Sequence, residues 1–194
     1  MLREMATTYG RSPGGYIWAV LEPCAGIALL TFVFAMAIPE PPLGSSFPLF
    51  YAGGFLAFTA YLNVSAKLTI AIRFSKPLLF YPAVRHTDAL LARFILNILT
   101  EILVIVTVLL AIVLVWDLRP GFDLPVIMLG FSMAFVLALG VGTLNCFLIS
   151  MFPVWERIWG ILNRPLFIIS TLFFLFETVP HPFNAVLWFN PLVH

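Results

Sequence analysis

The length of its uncharged runs limits how this chain can fold more than any other feature. Leu124 to Trp155 carries no charged side chain over 32 residues. That exceeds the roughly 20 that an upright helix needs to cross the ~30 Å hydrocarbon core of a bilayer. Phe47 to Ala66 is likewise uncharged. With 62% of residues hydrophobic, 10% charged and a mean hydropathy of +1.06, the chain is far from the roughly 25% charged composition of soluble domains. These runs predict an all-α, polytopic transmembrane helical bundle. Net charge is only +1, and the segregation of basic residues behind it sets topology; no nucleic-acid partner is expected.

In chain order, residues 1–19 are polar and mildly basic, broken by Ser12-Pro13-Gly14-Gly15, and read as a cytoplasmic interfacial segment. Spans are expected at 20–38, 47–72, 94–116, 124–154 and 158–177, with 178–194 as an outer re-entrant or interfacial hairpin. Glu22-Pro23 opens the first span, where a carboxylate must find water, a cation or a facing donor. The excess length of the fourth run predicts tilt, a kink or a partly interfacial end. Five spans would leave the carboxyl terminus outside, so a sixth span is expected beyond His194.

Lys67, Arg73, Lys76, Arg85 and Arg93 crowd the connection between the second and third spans, opposed there only by Asp88. Arg3 and Arg11 in the lead, and Arg157 and Arg164 between the fourth and fifth runs, alternate with them, so nine of the ten basic residues fall on one side. The positive-inside rule makes that side, and the amino terminus, cytoplasmic.

Cys24 and Cys146 lie in apolar runs and read as two buried thiols. Ala35-Met36-Ala37 looks like a signal-peptidase site, but the polar lead and the spans that follow favour a retained helix. There is no P-loop pattern and no metal-ligand spacing, so neither metal nor cofactor is expected in this chain, and any use of ATP falls to a partner.

Three patterns could carry function. Arg93, Asn97 and Glu101 recur every four residues, a polar face that must point into the bundle or a wet cavity; it reads either as a gate or coupling element or as an internal salt bridge involving Glu101. Gly130, Ala134, Ala138, Gly142 and Cys146 form a ladder of small residues along which another helix can approach, within the subunit or from a second copy. The 20 phenylalanines and five tryptophans suit a sugar-stacking channel, but belts and lipid-facing surfaces account for most such rings.

Four pieces, in order along nearly the whole chain, resemble the membrane permeases of ATP-binding-cassette exporters for capsular polysaccharide, O-antigen and polyol phosphate polymers. They are Gly10-Arg11 through Tyr16-Ile17-Trp18 to Glu22-Pro23; Phe47-Pro48-Leu49-Phe50; Tyr81-Pro82 with Val84, Asp88 and Arg93; and Arg164-Pro165-Leu166 with Asn190-Pro191-Leu192. The resemblance implies a six-span fold, a homodimer, a bacterial inner-membrane location and a separate ATPase subunit that binds ATP and Mg. It implies a docking loop for that ATPase at Tyr81, Pro82, Val84, Arg85 and Asp88. It also puts Arg11, Tyr16, Trp18, Glu22 and Pro23 at an entrance gate, beside which the step of Arg93, Asn97 and Glu101 is the gate or coupling candidate read from spacing. The sequence departs from the pattern after His194, where a last span and basic tail are expected.

The function so implied is passage of polysaccharide or a lipid-linked glycan out of the cytoplasm. Related export of small molecules or lipids stays open beside it. A different class is a membrane-embedded enzyme acting on lipid-linked sugar through Glu101, or Glu177 with His181, but these groups fall at opposite faces. A structural or assembly role is the remaining alternative.

Overall fold

The computed structural model describes residues 15–37, 41, 46–77, 84–117 and 123–170. They form six helices and, among them, no strand: α1 (Gly15–Ala37), α2 (Phe47–Thr69), α3 (Ala71–Ser75), α4 (His86–Val115), α5 (Leu124–Met151) and α6 (Trp155–Ile169). Four of these, α1, α2, α4 and α5, are long and apolar enough to span a bilayer. The expected interfacial segment before Gly15, the rest of the fifth span and the outer hairpin at 178–194 lie outside the described residues.

α2 is the hub. It packs against α5, α4 and α1, whereas α4 and α5 scarcely touch. It is also the least apolar of the four spans, with 44% of its most apolar window buried against 17, 22 and 11% in α1, α4 and α5. The two facts have one cause: a helix surrounded by protein can carry Tyr, Thr, Asn and Lys, while its neighbours meet lipid and must be almost wholly apolar. The core joins Ile27 of α1, Leu56, Tyr61 and Val64 of α2, Val108 of α4 and Phe135 of α5. Because lipid tails are as apolar as leucine, such contacts hold the bundle by close packing rather than by transfer from water.

Packing leaves no room for a side chain where α5 crosses α2. A methyl group on Gly142 would stand 2.7 Å from Leu68 Cβ and 3.0 Å from the Ser65 carbonyl oxygen. Hydroxyls inside the spans turn back on their own helix: Thr59 Oγ1 donates to the Phe55 carbonyl at 2.8 Å and Thr107 Oγ1 to that of Leu103 at 2.7 Å. Neither of these two donors is then left facing hydrocarbon. On the other side, α4 and α5 diverge around an apolar cleft of about 530 Å³ walled by residues such as Ile105, Leu109, Ile127 and Phe131.

Several boundaries differ from the sequence reading. α2 stops at Thr69 rather than 72, because Ile70 adopts φ −99° and ψ 9° and turns the chain into the short α3. α4 begins at His86 rather than 94, so Asp88 and Arg93 are helical rather than part of a loop. α5 ends at Met151 rather than 154, one residue before Phe152-Pro153, where proline cannot continue the ladder. At the far end of α4, Asp117 takes a left-handed φ of 46°, a conformation that Asp tolerates better than most residues.

Candidate functional site

Polar side chains from three helices converge beside the hub. Asn63 Nδ2 donates to Glu101 Oε1 at 3.0 Å, joining α2 to α4. Lys67, one turn beyond Asn63, and Glu22 of α1 both act electrostatically on the same carboxylate. Glu22 and Asn63 are exposed, and Glu101 and Lys67 half-buried. Since an exposed carboxylate and amide cannot lie cheaply against lipid, this face borders either water or another polar surface. Glu101 is the sixteenth residue of α4, about 22 Å from its start at 1.5 Å per residue, and so sits halfway along the helix.

Two turns earlier, Arg93 is buried to 4% exposure. Its Nη1 donates to the Lys67 carbonyl at 3.0 Å, and its guanidinium lies 4.1 Å from the centre of the Phe74 ring. The break at Ile70 explains the arrangement. Ending α2 at Thr69 frees carbonyls in its last turn, and a cation there both satisfies one of them and meets the negative end of the helix dipole. Asn97 Nδ2 donates back to the Arg93 carbonyl at 2.8 Å. The expected polar face therefore divides: Arg93 and Asn97 cap and brace, while Glu101 faces Asn63. Of the alternative in which Glu101 has a structural partner on Arg93 or a neighbouring helix, the structure shows the hydrogen bond from Asn63 of α2.

At the start of α4, Asp88 Oδ2 accepts a hydrogen bond from the Arg85 backbone N–H at 3.0 Å. A carboxylate at the third helical position reaching back to the cap residue satisfies an orphan donor and suits the positive end of the helix. Asp88 thus has a local structural duty and is exposed; Arg85 is exposed and Val84 half-buried. Tyr81, Pro82 and Arg11 lie outside the described residues, as does the side chain of Tyr16. Trp18 is exposed on α1, and Pro23 is buried within the same helix.

The small-residue ladder is used at one end only. Ala138, Gly142 and Cys146 are buried, Ala134 is half-buried, and Gly130 has nothing within 4 Å. Three pairings were not read from the sequence. The first is that of Asn63, which shares a face with Thr59 and Lys67 at a step of four, with Glu101; it is legible in principle because an intramembrane carboxylate needs a donor and few polar residues lie at a matching depth. The second is Asn145, 1% exposed, whose Oδ1 accepts from Trp155 Nε1 at 2.8 Å and so ties α5 to α6. The third is Glu156, paired with Arg73 at 3.2 Å. No group of three or more His, Cys, Asp or Glu that could hold a metal occurs among the described residues.

The ABC-2 type transporter family matches over residues 1–194. The chain is 31% identical to the polysialic acid transport protein KpsM of Escherichia coli, over all of this chain and 75% of that protein. It is 27% identical to the capsule polysaccharide export inner-membrane protein CtrC of Neisseria meningitidis, and 23% identical to the corresponding protein BexB of Haemophilus influenzae, each over all of this chain and 73% of the relative. With several membrane-length helices and inner-membrane relatives, the alternative of a membrane-embedded enzyme gives way to a transport component. The chain belongs to the ABC-2 type transporter family, whose membrane subunits work with an ATPase.

Proposed function

We propose that this protein is the permease subunit of an exporter that carries a capsule-type polysaccharide, free or lipid-linked, out of the cytoplasm. Relatives named for transport of polysialic acid and for export of capsule polysaccharide match along the whole chain, and that match carries the reading. Two copies would enclose the path, with the amino terminus in the cytoplasm, and ATP and Mg would be bound by the ATPase subunits alone.

The ATPase would dock at Tyr81, Pro82, Val84, Arg85 and Asp88, between α3 and α4. Gate residues would be Arg11, Tyr16, Trp18, Glu22 and Pro23 on the first helix and its lead, opposed by Glu101 with Asn97 and Arg93 behind it. Support for the gate is physical: Glu22, Asn63, Lys67 and Glu101 bring polar side chains of three membrane-length helices together. A hydrated glycan rich in hydroxyls needs such a face, since donors and acceptors stripped of water must be met by others. No covalent step is assigned to this chain; its work is a change of opening driven by differential binding of the ATPase's nucleotide states.

Reconstitution of the protein with its ATPase in proteoliposomes tests the docking assignment. Tyr81→Ala should weaken ATPase binding. Asp88→Asn, which keeps an acceptor for the Arg85 N–H, should weaken it without loss of folding. Wild-type binding and hydrolysis in both variants would refute the assignment.

A further inference from the structure

At 15 residues, α6 is about 22 Å long. Each residue turns the helix by about 100°, so the positions from Trp155 to Leu166 sort into three sectors. Trp155, Trp159 and Leu166 share the first. It faces the bundle: Leu166 packs on the core, and Trp155 Nε1 donates to Asn145 Oδ1 of α5 at 2.8 Å. Ile158, Ile161, Leu162 and Pro165 share the second, and all four are exposed, Ile161 to 66%. Glu156, Arg157, Gly160 and Arg164 share the third and are exposed likewise.

The charges of the third sector are not equivalent. Glu156, on the edge nearer the bundle, accepts a hydrogen bond from Arg73 Nη2 of α3 at 3.2 Å. Arg157 and Arg164 stand at the opposite edge, beside the apolar sector, two turns and about 10 Å apart. Among the described residues neither pairs with a carboxylate. An apolar strip bordered by two uncompensated guanidinium groups matches the surface of an anionic bilayer. The strip enters the acyl boundary, and the planar forks meet phosphate at the level of the headgroups.

An upright α6 does worse. The two arginines would then differ in depth by about 10 Å, so either Arg164 enters hydrocarbon or Ile158, Ile161 and Leu162 stand in water. A helix lying in the membrane surface avoids both costs.

We propose that α6 lies in the bilayer surface and that Arg157 and Arg164 form a binding site for the phosphate of anionic phospholipid headgroups. Nothing in this site depends on what the bundle transports. Because Trp155 ties α6 to α5 and Glu156 ties it to α3, a headgroup held there binds the folded arrangement of three helices and stabilises it by linkage.

Two measurements on the full chain test the site. In neutral detergent, titration with phosphatidylglycerol should raise the melting temperature of the protein, whereas phosphatidylcholine and inorganic phosphate should not. Arg157→Gln and Arg164→Gln should each move the titration midpoint about fivefold higher, the worth of one basic residue at an anionic surface. Arg157→Lys, which keeps the charge, should stay near wild type. For the second measurement, Cys24 and Cys146 are replaced by alanine, and nitroxides are attached at Ile161→Cys and at Gly160→Cys, where an added Cβ meets nothing within 4 Å. In nanodiscs containing phosphatidylglycerol, lipid-dissolved oxygen should relax the first label and a water-soluble nickel chelate the second. The lipid site is overturned if the Gln variants keep the wild-type midpoint, if phosphatidylcholine serves as well as phosphatidylglycerol, or if both labels report the same surroundings. Protection of both labels by the ATPase subunit, with no preference for anionic lipid, would give this face to a protein partner and equally overturn it.

Discussion

Gly142→Ala should loosen the bundle more than its single added methyl suggests. The new carbon would stand 2.7 Å from Leu68 Cβ, 3.0 Å from the Ser65 carbonyl oxygen and 3.1 Å from Ser65 Cα. None of these atoms lies at the end of a side chain that can swing away, so α2 and α5 must separate by a few tenths of an ångström. That separation runs through the largest interface of the hub. Overpacking of this kind costs roughly 1–3 kcal/mol, or about 2–12 °C of melting temperature for a chain of this size. Two controls isolate the cause. Gly130→Ala meets nothing within 4 Å and should be neutral or slightly stabilising; Gly26→Ala meets the Phe55 ring first, the end of a side chain that can rotate aside, and should fall between. Thermal unfolding of the purified protein in detergent, followed by tryptophan fluorescence, measures all three. Equal melting temperatures for Gly142→Ala and Gly130→Ala would refute the account of the α2–α5 contact.

Asn63→Leu should cost roughly 0.5–1.5 kcal/mol, the net worth of a hydrogen bond on a face that is not sealed, and adding Glu101→Leu should recover much of the loss; thermal unfolding of both variants checks this. Asp88→Ala should lower stability by roughly 1 kcal/mol through loss of the α4 cap, whereas Asp88→Asn should leave it near wild type, read as amide exchange in the first turn of α4. Trp155→Phe removes the indole donor to a buried Asn145 side chain whose Nδ2 already has no protein partner. It should cost about 1–3 kcal/mol, seen as earlier unfolding.

The spans were legible in the sequence because lipid allows few exceptions: an uncharged run of 32 residues between charged connections has little choice but to cross. Helix ends were less so. Hydropathy marks where a helix leaves the hydrocarbon, not where its hydrogen bonds stop, so α4 could extend two turns back through Arg93 and Asp88 to His86. The break at Ile70 has no Pro or Gly to announce it. At the site, the step of four from Arg93 to Glu101 was readable, but the partner of Arg93 is a backbone carbonyl, which no pattern of side chains encodes. Gly130 and Gly142 obey the same spacing, and only the crossing point of α2 on α5 distinguishes a packed glycine from an idle one.

The most direct measurement of the central claim is surface polysaccharide in a capsule-forming strain whose own permease gene is deleted, supplied with this protein and its ATPase. Polymer should return to the cell surface only when both are present and the ATPase can hydrolyse ATP. Polymer retained inside the cell, with the protein in the membrane and bound to an active ATPase, would contradict the claim.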